Sequence, residues 1–311
     1  MDKDLSLYKE IIDNGLYDIY NNGPELLKDP INYIIHGGKR LRPILCILSN
    51  DACGGSLEKV LPPAISIELL HIFSLVHDDI MDDDSIRHNK ETIHSKWNIP
   101  IGILSGDAIL ALALKELNMS SDLIRKKFNN ALIAICEGQA FDIEYQSVDD
   151  ITLNQYFYMI SLKTSYMLGL SAEIGAMVAG AEKTVSDLFN KIGLLLGKAF
   201  QLQDDLLEIT STEKKMGKSL NSDVILNKKT YLLIEAKTKY PDEIKNIYSK
   251  KKTSSSLNMH VKNFLIDSGI VDDCKQQINI IFDEVYKCIN DLNIDKSKLI
   301  FYVDKIRSRK F

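Results

Sequence analysis

The sequence predicts an all-α protein, and three observations support this prediction. Apolar residues recur at the spacing of helix faces along most of the chain, as in the run AISIELLHIFSLVHDD at residues 64–79. No convincing strand alternation or β–α–β rhythm appears. The seven prolines lie near the inferred helix boundaries, so they leave long helices uninterrupted.

Three long helices are expected to build the core. The first follows Pro62 and Pro63, which suit a helix start, and is apolar nearly all round, as in a buried helix. The second, within residues 162–181, carries small residues that let helix backbones approach closely. The third, within residues 188–209, is also apolar and ends in acidic residues. The polar stretch at 249–258 is expected to be a flexible loop.

Composition limits the possible functions. Of 311 residues, 45% are hydrophobic and 26% are charged, which is typical of a globular protein with a large core. No linker is apparent, so we expect residues 1–311 to form a single domain. The 38 basic residues are interspersed with 43 acidic ones for a net charge of −5, which argues against nucleic-acid binding.

The cellular location is inferred from the cysteines and the chain start. The five cysteines fit no zinc or redox spacing, which indicates free thiols in a reducing compartment. The start MDKDLSLYKE is acidic and polar, unlike a signal peptide. No stretch reaches the roughly 20 apolar residues of a membrane span. We therefore expect a cytoplasmic protein without an integral membrane segment.

Two of the long helices end in matching carboxylate clusters. Asp78 and Asp82 are four residues apart and share a helix face, with Asp79 beside them. The second cluster repeats this spacing at Asp204, Asp205 and Glu208. Oxygen ligands so arranged suit Mg²⁺ completed by substrate phosphates, whereas a solvated acidic helix end is the alternative. An EF-hand is excluded, because Arg87 and Ile93 occupy the positions where its loop needs Gly and Glu.

A basic segment, HGGKRLRP at residues 36–43, suits the phosphates that such a magnesium site would bring. Gly37 and Gly38 allow close backbone approach to an anion, and Lys39, Arg40 and Arg42 supply positive charge. More lysines follow the second acidic cluster at positions 218, 228 and 229. Taken alone, the basic segment could also be a solvated turn.

An ordered set of motifs resembles the trans-isoprenyl diphosphate synthases, or polyprenyl synthetases. The motifs are GGKRLRP, ELLHIFSLVHDDIMD, SGDAIL, GQAFD, KTSYML, FQLQDDLLE and MGKSLNSD, and they cover most of the chain. The resemblance implies the all-α isoprenoid synthase fold, with helices surrounding a central cavity, and a homodimer. It also implies that an allylic diphosphate ionises with about three Mg²⁺ ions bound, and that isopentenyl diphosphate attacks the resulting cation.

The resemblance also implies a role for each matching residue. Metal binding falls to Asp78, Asp79, Asp82, Asp204, Asp205 and Glu208. The isopentenyl diphosphate site falls to Lys39, Arg42 and His71, and the allylic site to Arg87, Lys163, Thr164, Gln201, Lys218 and Lys228. The residues expected to act in catalysis are Asp78, Asp79, Asp82, Arg87, Lys163, Asp204, Asp205 and Lys218.

The chain departs from the family pattern at two positions. Relatives usually carry Arg-Arg-Gly after the first acidic motif, whereas this chain has Arg87-His88-Asn89. His88 thus stands where the second arginine helps to hold isopentenyl diphosphate, and a histidine is only partly charged at neutral pH. Glu208 replaces the usual aspartate and keeps the carboxylate on a longer arm.

Product length is predicted from Phe73 and Ser74, which precede Asp78 by five and four residues. A single aromatic at the fifth position resembles geranylgeranyl (C20) synthases, because aromatics at both positions accompany C15 products in this family. Phe73 could instead belong simply to the core. The remaining alternatives are a farnesyl diphosphate synthase, a terpene cyclase and a regulatory subunit of a heteromeric synthase. Both intact acidic motifs argue against the last two.

Overall fold

The computed structural model describes residues 1–87, 89–210, 229–249 and 254–308. Helices dominate these residues, so the all-α prediction is confirmed. In chain order they are α1 (Asp2–Tyr17), α2 (Glu25–Ile35), α3 (Leu41–Ala52), α4 (Leu57–Met81), α5 (Ile93–Lys96), α6 (Ile99–Glu116), α7 (Asp122–Gln146), α8 (Leu153–Ile160), α9 (Tyr166–Val178), α10 (Lys183–Thr210), α11 (Tyr231–Lys239), α12 (Pro241–Ser249), α13 (Ser254–Asp267), α14 (Ile270–Asn290) and α15 (Ser297–Arg307).

The centre of the fold is built from α3, α4, α9 and α10, which pack on one another, while α6 covers α4. The predicted close approach of helices is confirmed at Gly175 and Gly193. A Cβ on Gly175 would lie 2.1 Å from the carbonyl oxygen of Cys46 on α3. A Cβ on Gly193 of α10 would lie 2.2 Å from the carbonyl oxygen of Leu168 on α9. Hydrogen alone at these positions lets the backbones meet.

Helix α4 begins earlier than the sequence suggested. It starts at Leu57, so Pro62 and Pro63 lie inside its second turn instead of preceding it. Their missing N–H groups leave the carbonyls of Glu58 and Lys59 without helical partners, and both residues are exposed, so water can hydrate them. By length and mean hydropathy (1.5) α4 could cross a membrane, but 67% of its apolar window is buried inside the protein, as in a core helix.

Two short features differ from the sequence prediction. In the described residues, the strands are β1 (Ile86–Arg87) and β2 (Lys90–Glu91), which form an antiparallel hairpin that was not predicted because two-residue strands leave no alternation. Asn89 in its turn has φ 61°, a left-handed conformation that asparagine tolerates. Within the predicted loop at 249–258, α12 ends at Ser249 and α13 already begins at Ser254.

Candidate active site

The five aspartates at the end of α4 lie in different environments. Asp78 and Asp82 are half-buried at this helix end, and their spacing of four residues predicts that they share one helix face. Asp79 is buried and accepts a hydrogen bond from Arg87 Nε on β1, and Asp84 lies 3.7 Å from the same guanidinium. Asp83 is fully exposed with φ 53°. One arginine and solvent thus offset the charge of the three aspartates beside Asp78 and Asp82.

Lys163 is the cation of the first cluster. Its Nζ lies 2.5 Å from Oδ2 of Asp142 on α7, and its charge also acts on Asp78 and Asp82. Burial lowers the pKa of Lys163, but the nearby carboxylates outweigh burial and raise it overall. Burial raises the pKa of Asp78, and Lys163 opposes that rise. The ammonium therefore stays charged among carboxylates that lie deep enough to feel it strongly.

A π-helical turn, Ser161–Ser165, joins α8 to α9 and connects the two clusters. Lys163 reaches the first cluster, whereas the next residue, Thr164, donates a 2.8 Å hydrogen bond to Oε1 of Gln201. Gln201 in turn donates from Nε2 to Asp205 Oδ1 at 3.0 Å. Gly138 of α7 makes room for this turn, since a Cβ there would lie 2.4 Å from the backbone nitrogen of Lys163.

Asp205 is the most constrained carboxylate of the second cluster. Its Oδ2 accepts hydrogen bonds from the hydroxyl of Tyr156 on α8 at 2.6 Å and from the backbone N–H of Tyr231 on α11 at 2.9 Å. Burial raises the pKa of Asp205 to about 6, although these donors favour the charged form. Asp204 and Glu208 lie half-buried next to it on α10.

The basic segment forms a loop that fits anion binding. Gly37 (φ 106°) and Gly38 (φ 88°) adopt backbone conformations that side chains disfavour, which explains the glycine pair. Lys39 is exposed, and His71 is half-buried on α4. Arg42 is half-buried, and among the described residues its Nε has no hydrogen-bond partner. Burial lowers the pKa of Arg42, which an anion bound to it would reverse.

The residues predicted to set product length lie in the wall of α4. The ring of Phe73 is buried and meets the ring of His77 edge-on, with centroids 4.7 Å apart. Ser74 is half-buried and donates its hydroxyl to the carbonyl of His71 at 2.9 Å. Opposite His77, Gly106 of α6 leaves space that a Cβ would fill, 2.2 Å from His77 Nε2.

Some predicted site residues lie outside the described residues, namely His88, Lys218 and Lys228. In the described ranges, no three His, Cys, Asp or Glu side chains are already grouped as a metal site. Half-buried carboxylates on two helix ends nonetheless fit Mg²⁺, which prefers oxygen ligands. That ion keeps water ligands and takes oxygens from substrate phosphates, so it needs no cage made by the protein alone.

Sequence reasoning missed two polar residues that organise the site, and it expected the positive charge of a third, Arg40, to serve an anion. Asp142 holds Lys163, and Tyr156 holds Asp205. Arg40, whose side chain is only 3% exposed, pairs with Asp13 and Glu68. The motif GQAFD signalled Asp142 without giving it a role. Tyr156 gave no signal, because its partner is 49 residues away.

Comparison with known proteins agrees with this arrangement. The family model of polyprenyl synthetases matches residues 24–264. The chain belongs to the polyprenyl synthetase family. It is 38% identical over 255 residues to the geranylgeranyl diphosphate synthase of Sulfolobus acidocaldarius, covering 78% of this chain and 77% of that one.

Solved polyprenyl synthetases have the same fold. A crystal structure of a geranylgeranyl pyrophosphate synthase matches with a TM-score of 0.92 at 31% identity over 99% of both chains. The heptaprenyl diphosphate synthase of Staphylococcus aureus matches with the same TM-score of 0.92 at 27% identity, again over 99% of both chains. The isoprenoid synthase fold is therefore confirmed. Because synthases named for two different products share this fold, the fold alone does not determine product length.

Proposed function

We propose that this polyprenyl synthetase condenses isopentenyl diphosphate with allylic diphosphates and releases mainly geranylgeranyl diphosphate. The observation that carries the proposal is the pair of adjacent residues in the π-helical turn. Lys163 pairs with Asp142 on α7, and its charge acts on Asp78 and Asp82 in the first acidic cluster. Thr164 contacts the second cluster through Gln201 and Asp205. A diphosphate lying between the clusters would meet carboxylates from both sides and an ammonium and hydroxyl from one turn.

The clusters would hold about three Mg²⁺ ions together with the diphosphate. Asp78, Asp82, Asp204 and Glu208 are suited to this by their half-buried carboxylates. Direct binding by Asp79 and Asp205 remains a prediction, since their oxygens accept hydrogen bonds from Arg87, Tyr156, Tyr231 and Gln201. Bound Mg²⁺ supplies Lewis-acid charge that stabilises the departing diphosphate.

The chain's own residues would perform the remaining tasks. Lys163 binds the leaving diphosphate, where a fixed positive charge stabilises the charge that develops. Arg42 and Lys39 bind isopentenyl diphosphate beside His71, and the buried Nε of Arg42 has no hydrogen-bond partner within the described part of the chain. Thr164 and Gln201 orient the allylic end. The apolar side of α4 at Phe73 excludes water from the cation.

The C20 product is proposed from Phe73 and Ser74. Phe73 lies five residues below Asp78, or about 7.5 Å along the helix axis at 1.5 Å per residue. Its ring is fixed against His77, whereas Ser74 leaves space beside it. The geranylgeranyl synthases among the relatives favour the same length. A farnesyl diphosphate synthase is the alternative.

We further propose that one domain of residues 1–311 acts in the cytoplasm as a homodimer. All five cysteines are free, which fits a reducing compartment. One side of α6 leaves large apolar residues about half exposed, including Ile99, Ile103 and Leu104. Ile133 and Ile143 on α7 are exposed as well. A second copy covering the α6 patch would remove apolar surface from water.

Light scattering after size-exclusion chromatography tests the dimer. We expect the wild-type mass to be twice that of one chain, and Ile103→Glu to shift it to the monomer. Ile280→Glu is the matched control, because Ile280 on α14 is equally exposed outside the patch. A monomeric wild type, or the same shift in both variants, would refute the assignment of this surface.

The activity test uses purified protein, isopentenyl diphosphate and farnesyl diphosphate, with Mg²⁺ or with EDTA. We expect C20 product only with Mg²⁺, identified by chromatography after dephosphorylation. Asp78→Ala and Asp204→Ala should each lower turnover by at least about 10²–10³-fold. Asp83→Ala is the matched control, since Asp83 belongs to the same motif but is fully exposed.

The same assay separates the alternatives. A terpene cyclase would form hydrocarbon without consuming isopentenyl diphosphate, and a regulatory subunit would be inactive alone. A farnesyl diphosphate synthase would stop at C15 when supplied with a shorter allylic starter. Activity that persists in EDTA, or in Asp78→Ala, would refute the metal assignment.

A further inference from the structure

Arg40 belongs to the basic segment at residues 36–43, and its side chain contacts three separate helices, α1, α2 and α4. Its Nε lies 2.8 Å from Asp13 Oδ1 on α1, and its Nη1 lies 2.8 Å from Glu68 Oε1 on α4. Its Nη2 donates to the carbonyl of Ile35 at the end of α2. The side chain of Arg40 is only 3% exposed and that of Glu68 only 5%, so this pair forms away from water, whereas Asp13 is half-buried.

The backbone of Arg40 is as constrained as its side chain. Arg40 has φ 55°, a left-handed conformation that costs a residue with a side chain, and it immediately precedes α3. Gly37 and Gly38 also have positive φ, so three of four consecutive residues follow an unusual path. Lys39 lies within this path, and Arg42 is the second residue of the helix after it. The contacts of Arg40 therefore fix where both cations are presented.

The positive charge of Arg40 also affects Arg42, through the carboxylate of Glu68. Glu68 is buried, and the charge of its carboxylate acts on Arg42 as well as on Arg40. Glu68 Oε2 has no hydrogen-bond partner among the described residues. Without Arg40, Glu68 would be a buried carboxylate lacking its cation, and Arg42 would be drawn to it. An Arg42 side chain paired with Glu68 would no longer be available to bind a diphosphate.

We propose that Arg40 is a positioning residue for isopentenyl diphosphate, acting by neutralising Glu68 and fixing the turn that presents Lys39 and Arg42. Asp13 completes the network from α1. This helix precedes residue 24, where the family match begins, so the proposal gives α1 a part in substrate binding. The inference rests on the proposed function, because it concerns the affinity for one of its two substrates.

Steady-state kinetics with each substrate varied in turn tests the role of Arg40. We expect Arg40→Met to raise KM for isopentenyl diphosphate by about tenfold or more, as displaced binding groups do, with KM for the allylic substrate nearly unchanged. Asp13→Asn should raise the same constant to a smaller extent, because it removes one of three contacts. Asp13 is only half-buried, so this variant tests the network even where Arg40→Met fails to fold.

Two further variants separate positioning from general damage. Glu68→Leu combined with Arg40→Met should recover part of the lost affinity, because no buried carboxylate remains to draw Arg42 away. Lys9→Gln is the control. Lys9 Nζ lies 2.6 Å from Oδ2 of Asp13, whereas Arg40 binds the other oxygen, Oδ1. It should leave both constants unchanged.

The outcomes are distinguishable from failure of the proposed function. A wild-type protein that forms no prenyl product would refute the function itself. In an active wild type, a normal KM for isopentenyl diphosphate in Arg40→Met and Asp13→Asn would overturn the positioning role. Equal losses for both substrates, or no recovery in the double variant, would also overturn it, because they indicate a purely structural residue.

Discussion

Replacing Lys163 by methionine tests the site against a well-matched control. Lys163 pairs with Asp142 at 2.5 Å, and Lys127 pairs with Glu173 at 2.6 Å. Both carboxylates are at most 10% exposed, and the lysines are 24% and 32% exposed. Lys127 lies on α7, the helix that also carries Asp142, but its partner Glu173 accepts a hydrogen bond from Asn190 on α10, away from the acidic clusters. Lys127→Met therefore removes the same kind of ion pair outside the site.

The two variants should lose similar stability but not similar activity. Removing one partner of a buried ion pair costs about 3–5 kcal/mol, and partial exposure of both lysines lowers this to about 2–3 kcal/mol. Each melting temperature should therefore fall by several degrees. Only Lys163→Met removes a cation from the leaving diphosphate, so only its kcat should fall by about 10²–10³-fold, equivalent to about 2.7–4 kcal/mol.

The measurements are a thermal melt followed by circular dichroism and initial rates well below the lower melting temperature. Equal losses of kcat in the two variants would show that Lys163 acts only through stability. A Lys163→Met enzyme with normal kcat would remove Lys163 from the catalytic site altogether.

Four further substitutions test product length, the isopentenyl site and the π-helical turn. Phe73→Ala should extend products beyond C20, and Ser74→Phe should shorten them toward C15. Unchanged chromatograms of the dephosphorylated products would show that neither residue determines product length. His88→Arg should lower KM for isopentenyl diphosphate. The affinity of the wild type for this substrate should weaken as pH rises through about 6.5, the ordinary histidine pKa. An unchanged KM in His88→Arg, together with no such pH dependence, would show that His88 does not contact this substrate. Gly138→Ala should cost about 1–3 kcal/mol by overpacking and lower kcat by displacing Lys163; a normal melt and normal rates would contradict the tight fit seen at this glycine.

The fold and the main carboxylates could be predicted because their signals are local. Asp78 and Asp82 share a face through helix periodicity alone, and the same period relates Asp204 to Glu208. The glycine pair before Lys39 has the positive φ that its residue type suggested. Each of these conclusions depends on residues no more than a few positions apart, where backbone geometry decides the outcome.

The pairings that distinguish one aspartate from another could not be predicted in this way. Asp79 is taken by Arg87 because the chain reverses in a hairpin whose strands have two residues each. Asp205 is held by Tyr156 because α8 and α10 pack together, 49 residues apart in sequence. In the sequence, the carboxylates within each motif look equivalent. Only tertiary packing distinguishes the environment of Asp79 from that of Asp78, and the environment of Asp205 from that of Asp204.

The π-helical turn has a consequence for how this region tolerates length changes. A π turn fits one residue more into one turn than the α-helical turn it replaces, so α8 and α9 keep their alignment although the chain carries an extra residue. Deleting Ser161 would therefore restore continuous α-helix from α8 into α9 and leave Tyr156 against Asp205 and the small residues of α9 against α3 and α10. The widened turn that directs the adjacent Lys163 and Thr164 to different partners would be lost. Such a deletion should therefore lower activity far more than it lowers stability.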